Sequence, residues 1–283
     1  MIKFGPSGNS LAFSLAGFTD TEKSAVWVKE MGLDAFEYSF GRGVNLSSQK
    51  AEKIQKAFSE NNIEISVHAP YFINFANTDD EMVEKSYKYV LDSCKMGKIM
   101  GAKRVVFHPS SQGKLSREDA VNLTYKRLEI LAQKIIENGY DDMIICPETM
   151  GKFAQIGTTK EIAKFCTIAP FFYPCIDFGH INCRTLGGLK TEEDFLRELD
   201  IIEEIAGREK LENMHVHFSK IMYSQKGEVK HLTFEDTSFG PDPELFIKAI
   251  IKKDAKPYVI SESAGTQDID ALTMKKMYLN LIK

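Results

Sequence analysis

The sequence predicts a (β/α)8 barrel, and three observations carry that expectation. Eight apolar, β-branched or aromatic runs recur along the 283 residues. They read IKFG near Ile2, LDAFEYSF near Phe36, IEISVHAP near Val67, KRVVFHPS near Val106, MIICPET near Ile145, YPCIDFGH near Ile176, MHVHFS near Val216 and PYVISES near Ile260. Their near-continuous apolar character is that of parallel strands covered on both faces. Amphipathic stretches lie between them, and the length suits a barrel whose usual size is ~250 residues. A doubly wound open sheet is the alternative. No GxGxxG or GxxxxGK(S/T) follows an early run, which removes the main sequence support for the nucleotide-binding versions of that fold.

The helical stretches carry their own punctuation. Ser47–Asn61 opens with Ser-Ser and sets Ala51, Ile54, Ala57 and Phe58 on one face. Asp79–Met100 is amphipathic and stops at Gly101. Ser116–Glu137 starts Ser-Arg-Glu-Asp, an N-cap with acids in the first turn, and ends at Asn138-Gly139. Thr191–Ala206 starts Thr-Glu-Glu-Asp and ends at Gly207, and Asp242–Lys253 and Gln267–Ile282 complete the set. No Pro/Gly/Ser-rich linker or low-complexity segment divides the chain, so residues 1–283 are expected to form a single domain. The segments Gly179–Lys190 and Lys220–Pro243 exceed a minimal strand-to-helix turn, and long loops at one face are where a barrel places its function.

Composition is ordinary for a globular protein, with 43% hydrophobic and 27% charged residues. No apolar run approaches the ~20 residues needed to span a bilayer, so no membrane partner is expected. The N-terminus, MIKFGPSGNSLAFSLAGF, has neither a basic n-region nor a continuous apolar core, so a cytoplasmic location is expected. Cys94, Cys146, Cys166, Cys175 and Cys183 form no CxxC and read as buried thiols rather than a cysteine-rich zinc site. A net charge of −4 is not a nucleic-acid-binding balance overall. It leaves room for a metal-filled cleft with a local basic rim that holds a phosphate backbone.

The chemistry-bearing residues collect at the ends of these runs. His68 ends the third, His108 the fourth, Glu148 the fifth, Asp177 the sixth and Glu262 the eighth, while His215 and His217 lie within the seventh. His180 follows Asp177 by three residues, and His231 lies in the long loop after the seventh run. A single acid beside a histidine is more often a surface pair or a helix cap. Six successive strands delivering such residues to one end of a barrel is a different matter, because that end is the catalytic face. Buried together, unpaired imidazoles and carboxylates would be costly, and a metal resolves that cost. Nitrogen and oxygen donors without a thiolate cluster suit zinc, manganese or iron.

These motifs resemble the endonuclease IV family of apurinic/apyrimidinic endonucleases. The resemblance is carried by HAPYFIN (68–74), FHPSS (107–111), PETMGKFAQIG (147–157), CIDFGHINCRTLGGL (175–189), MHVHFSK (214–220) and ISES (260–263). It implies a (β/α)8 barrel with a trinuclear zinc site that cuts DNA 5′ to abasic sites in base excision repair. It implies one Zn2+ held by His68 and His108, and a second by Asp177, His215 and Glu262, with Glu148 bridging the two. A third would be held by His180 and His231, so two or three Zn2+ are expected, with Mn2+ also compatible. Catalytic roles are implied for Glu262, which would orient or deprotonate the attacking water, and for the bridging Glu148. Tyr71 matches a DNA-binding position where a ring could fill the gap left by a missing base, its alternative being core packing beside Phe72 and Phe75. Arg42 and Arg184 are loop cations that could meet phosphates. The implied partner is DNA with abasic sites, and a monomer is expected.

Three departures mark a divergent branch. The family has an aspartate two residues before the last histidine, where this chain has Val229; Glu228 or His217 could substitute. An Asn-Asp pair is replaced by His217-Phe218, and the first strand lacks a histidine. A rival reading uses Glu148, Asp177, His215 and Glu262 alone, as in sugar isomerases and epimerases resembling the xylose isomerase superfamily, where one metal polarises a ketose and two glutamates move protons. The acidic pI of about 5.9 and Val229 favour that rival; His68, His108, His180 and His231 favour the nuclease.

Overall fold

The structure is a computed structural model and describes residues 2–283. The eight apolar runs are eight parallel strands: β1 (Lys3–Pro6), β2 (Ala35–Ser39), β3 (Glu64–His68), β4 (Arg104–Phe107), β5 (Ile144–Pro147), β6 (Cys175–Asp177), β7 (His215–Phe218) and β8 (Tyr258–Ser261). Ladders join β2-β3-β4-β5 and β6-β7-β8-β1. Parallel bridges Ser7 to Glu37 and Glu148 to Cys175 close the two arcs into one barrel. The closure between β1 and β2 is tight. A Cβ on Gly5 would lie 1.9 Å from the Ala35 carbonyl oxygen, so only glycine lets these strands meet.

The outer ring consists of α1 (Thr21–Glu30), α2 (Ser48–Glu60), α3 (Asp80–Ile99), α4 (Arg117–Glu137), α5 (Thr159–Phe165), α6 (Glu192–Ala206), α7 (Pro243–Lys252) and α8 (Gln267–Leu281). Six of these were expected, and five of the six expected starts are the N-cap residues themselves. The Ser47 side chain accepts from the Lys50 amide, Asp79 from Glu81, and Ser116 from Asp119. Two helices, α1 and α5, were not anticipated. Both are short, and α1 buries only Ser24, Ala25 and Val28, too small an apolar stripe to stand out. Among the described residues no helix is long and apolar enough to cross a membrane.

The two long segments carry structure that shapes the barrel mouth. After β6 the chain turns at once into a helix, Phe178–Arg184. After β7, Ile221–Ser224 and Gly227–His231 form an antiparallel hairpin. An aromatic cluster fixes the site-bearing helix. Phe178 packs against Phe246 of α7 at 4.9 Å between ring centroids and against Phe195 of α6 at 5.4 Å. Phe218 of β7 stacks on Phe246 at 5.0 Å. All four rings are fully buried, so Asp177 and His180, at either side of Phe178, sit on a rigid base.

Candidate metal centre

Glu148 is the hub. It lies one residue past β5, is 1% exposed, and has histidines around both carboxylate oxygens. Oε2 is 3.2 Å from His68 Nε2 and 3.0 Å from His108 Nε2. Oε1 is 3.0 Å from His217 Nδ1 and 3.5 Å from His180 Nδ1. Three strand ends and one loop helix thus converge on a single carboxylate.

Several histidines are held so that one ring nitrogen faces the centre. His68 Nδ1 is 2.8 Å from the Ala69 carbonyl and His180 Nδ1 is 2.9 Å from the Thr149 carbonyl. A carbonyl only accepts, so each Nδ1 carries a proton, and it is Nε2 that gains a lone pair when the ring is neutral. His231 Nδ1 is paired with the Ser219 hydroxyl at 2.8 Å. Anchoring the far nitrogen in this way is how proteins orient metal-binding imidazoles.

The seventh strand corrects one expectation. His217, not His215, joins Glu148, Asp177 and Glu262 in a group whose ligand atoms lie within 4.8 Å of one another. Strand register explains it: His217 pairs with Asp177 across β6–β7, whereas His215 pairs with Cys175, one layer deeper. His215 instead faces Glu37 Oε2 at 3.2 Å, and burial lowers its imidazole to about 4. Glu37 was not singled out in the sequence, although an acid inside the apolar run LDAFEYSF was the signal for it.

A second donor group lies nearer the mouth and comprises His180, Glu228 and His231. Glu228 Oε2 is 3.5 Å from His180 Nε2. The hairpin accounts for the valine that follows. Met222 pairs with Lys230 and Tyr223 with Glu228, so Val229 is an extra residue in the ladder, a bulge. Residues two apart share a face in a regular strand; the bulge shifts that parity, points Val229 outward at 53% exposure and turns Glu228 in beside His231. Of the two offered substitutes for the missing aspartate, the structure places Glu228, not His217, in this group. Gly151 makes room, since a Cβ there would lie 2.9 Å from both Glu228 Cβ and His180 Cδ2.

The donor set fits metal ions on an observation of its own. Asp177 Oδ1 accepts from the His180 amide at 2.7 Å, capping the Phe178–Arg184 helix. Its Oδ2 is buried without a hydrogen-bond partner and belongs to the side chain grouped with Glu148, His217 and Glu262. The electrostatics agree. Burial opposes charge on Glu148, yet His217 and His108 hold its carboxyl well below the usual range. Glu262 is lowered, against burial, by His217 and His231. Burial also opposes charge on His68 and His180, but Glu148 beside the first and Asp177 with Glu148 beside the second raise them to about 9. Burial raises Asp177 despite His180. Positive charge is demanded at the centre, whether from protons or from metal.

Above the donors opens a cavity of about 350 Å³, lined among others by His68, His108, His180, His231 and Glu262. Tyr71 stands at its wall, 49% exposed beside Phe72, so it is not a core residue. Arg42 is exposed. Arg184 is not available to a phosphate in the way expected, because it donates to the carbonyls of Met150, Lys152, Phe153 and Gln155 and pins the loop after β5.

The sequence profile described as xylose isomerase-like TIM barrel matches residues 25–275. An uncharacterized protein of Methanocaldococcus jannaschii is 32% identical over 99% of this chain and 98% of its own length. A probable endonuclease 4 of Shouchella clausii is 29% identical over 62% of this chain, a match that spans 59% of that relative. Two solved structures superpose equally well, each with a TM-score of 0.70 and coverage of 99% of this chain. One is endonuclease IV of Thermus thermophilus, 18% identical and covered over 99% of its length; the other is a D-tagatose 3-epimerase-like protein, 19% identical and covered over 98%. At these identities the superpositions show the fold alone.

Proposed function

This chain belongs to the xylose isomerase-like TIM-barrel family, and within it we propose that the protein is a zinc-dependent apurinic/apyrimidinic endonuclease that hydrolyses the DNA phosphodiester 5′ to abasic sites. The observation that carries this reading is the second donor group, His180, Glu228 and His231, beside the first. A single-metal isomerase has no use for it, and none for His68 and His108 either. Sequence relatives described as probable endonuclease 4 support the same reading.

In this reading His68 and His108 would hold one ion and Asp177, His217 and Glu262 a second, with Glu148 placed to reach both. His180, Glu228 and His231 would hold the third. Such ions supply Lewis-acid polarisation of the phosphodiester and neutralise its developing charge. The chain's own residues do the rest. Glu262 lies in the cavity wall, 3.5 Å from the Ser7 hydroxyl, and its lowered carboxyl is ionised at neutral pH, ready to orient water and take its proton. Tyr71 offers an exposed ring to the space of the missing base.

The second reading is a sugar isomerase or epimerase using Glu148, Asp177, His217 and Glu262 around one ion. That four-residue group is complete by itself, which is the observation in its favour. Metal analysis separates the two. More than one zinc per chain and no turnover of ketohexoses supports the nuclease. A single ion, with epimerisation of a ketohexose and no nicking of abasic DNA, supports the rival.

A further inference from the structure

Beneath the metal centre lies a second polar layer that the proposed reaction leaves unexplained. Glu37, in the middle of β2, is fully buried. Its Oε2 accepts from the Ser66 hydroxyl at 2.8 Å, which fixes the carboxylate plane. Its Oε1 lies 2.9 Å from His217 Nε2. On the other side of the same ring, His217 Nδ1 lies 3.0 Å from Glu148 Oε1 and 3.6 Å from Glu262 Oε1. The imidazole is therefore clamped between a carboxylate outside the centre and two inside it. A buried carboxylate with no task is costly, and apolar residues would fill β2 more stably.

We propose that Glu37 is a positioning residue of the metal centre, holding His217 through Nε2 so that Nδ1 is presented as a metal ligand. A neutral imidazole binds metal through one nitrogen and carries its proton on the other. Glu37 Oε1 lies 2.9 Å from the Nε2 that must carry that proton, without a hydrogen bond between them, so it is the carboxylate's charge that favours the tautomer with Nε2–H. Its charge makes Nδ1 a stronger donor. His68, His180 and His231 are anchored through their far nitrogens by neutral oxygens, those of Ala69, Thr149 and Ser219. His217 is held by a full negative charge, which suits the ring that must hold its place beside Glu148, Asp177 and Glu262. His215 Nε2 lies 3.2 Å from Glu37 Oε2 without a hydrogen bond to it, so the carboxylate is held by Ser66. The inference rests on the metal centre of the proposed function and not on DNA as its substrate.

The test uses Glu37→Gln in the full-length protein, which keeps the shape and removes the charge. Chelator competition should show the zinc affinity of the His217-containing group reduced by about 10- to 100-fold, the range for outer partners of metal-binding histidines. The visible spectrum of the cobalt-loaded protein should shift, and binding at His180, Glu228 and His231 should persist. Ser66→Ala removes one hydrogen bond from Glu37 and leaves its charge, so it should weaken zinc in the same direction by less. Wild-type zinc affinity with an unchanged cobalt spectrum in Glu37→Gln would overturn the proposal. If that variant does not fold, unchanged affinity in Ser66→Ala would do so. Should wild-type protein bind zinc tightly yet leave abasic DNA intact, the nuclease reading fails while the clamp is still judged on metal affinity alone.

Discussion

Glu228 Oε2 lies 3.5 Å from His180 Nε2, across the gap between the β7 hairpin and the helix that follows β6. The pair depends on a one-residue bulge that exports Val229 and imports Glu228. Glu228→Ala should therefore remove the outermost metal while leaving the inner ones bound, as metal analysis would show. Adding Val229→Asp should not restore it, because position 229 faces outward. Recovery of the ion in the double variant would contradict the bulge argument.

Gly151 tests the same pair from the opposite side. Gly151→Ala would set a methyl group 2.9 Å from both Glu228 and His180, where real side chains essentially never sit. One of the two must move. The expected outcome is weaker binding of the outer metal with the fold intact by far-ultraviolet circular dichroism. Unchanged metal content would show that the two residues do not share an ion.

The two histidines of β7 should separate cleanly. His217→Gln is expected to lose metal from the inner group and, with it, catalysis. His215→Gln should keep its metals and change only the melting temperature, through loss of the 3.2 Å charge contact with Glu37. Metal content and thermal melts of both variants decide this. Equal metal loss in the two would contradict the register assignment.

The metal-free protein should have its own pH dependence. His68 and His180 are raised to about 9 by neighbouring carboxylates, against about 6.5 in an unfolded chain. A raised folded-state value contributes stability that is complete below about 6.5 and is lost as pH climbs through about 9. Zinc requires the same imidazoles neutral and replaces their protons. Melting temperature should thus fall more steeply between pH 7 and 9.5 (about the range of these two values) in chelator-treated protein than in zinc-loaded protein. Parallel curves would contradict it.

The barrel was legible because parallel strands covered on both faces must be apolar throughout, and all eight runs became strands. Caps at Ser47, Asp79 and Ser116 set helix starts to within a residue. Helix α5 was missed although Thr158 and Glu161 form a capping box; at seven residues its apolar stripe is too short for periodicity to declare. Most of the residues gathered at the candidate centre were legible from their place at strand ends. The exceptions depend on what a linear reading lacks. His215 and His217 share one face of β7, and only the register against Asp177 decides which reaches the rim. Val229 looked like a lost ligand because a bulge cannot be seen in spacing. Arg184 looked free because its carbonyl partners, from Met150 to Gln155, are distant in sequence.

The central claim is tested most directly by incubating zinc-loaded protein with a DNA duplex that carries a single abasic analogue and mapping the product ends. The account predicts one incision immediately 5′ to the analogue, leaving a 3′-hydroxyl, abolished by chelation or by Glu262→Ala, with an undamaged duplex left whole. A fully metal-loaded protein that leaves the abasic duplex intact would contradict it.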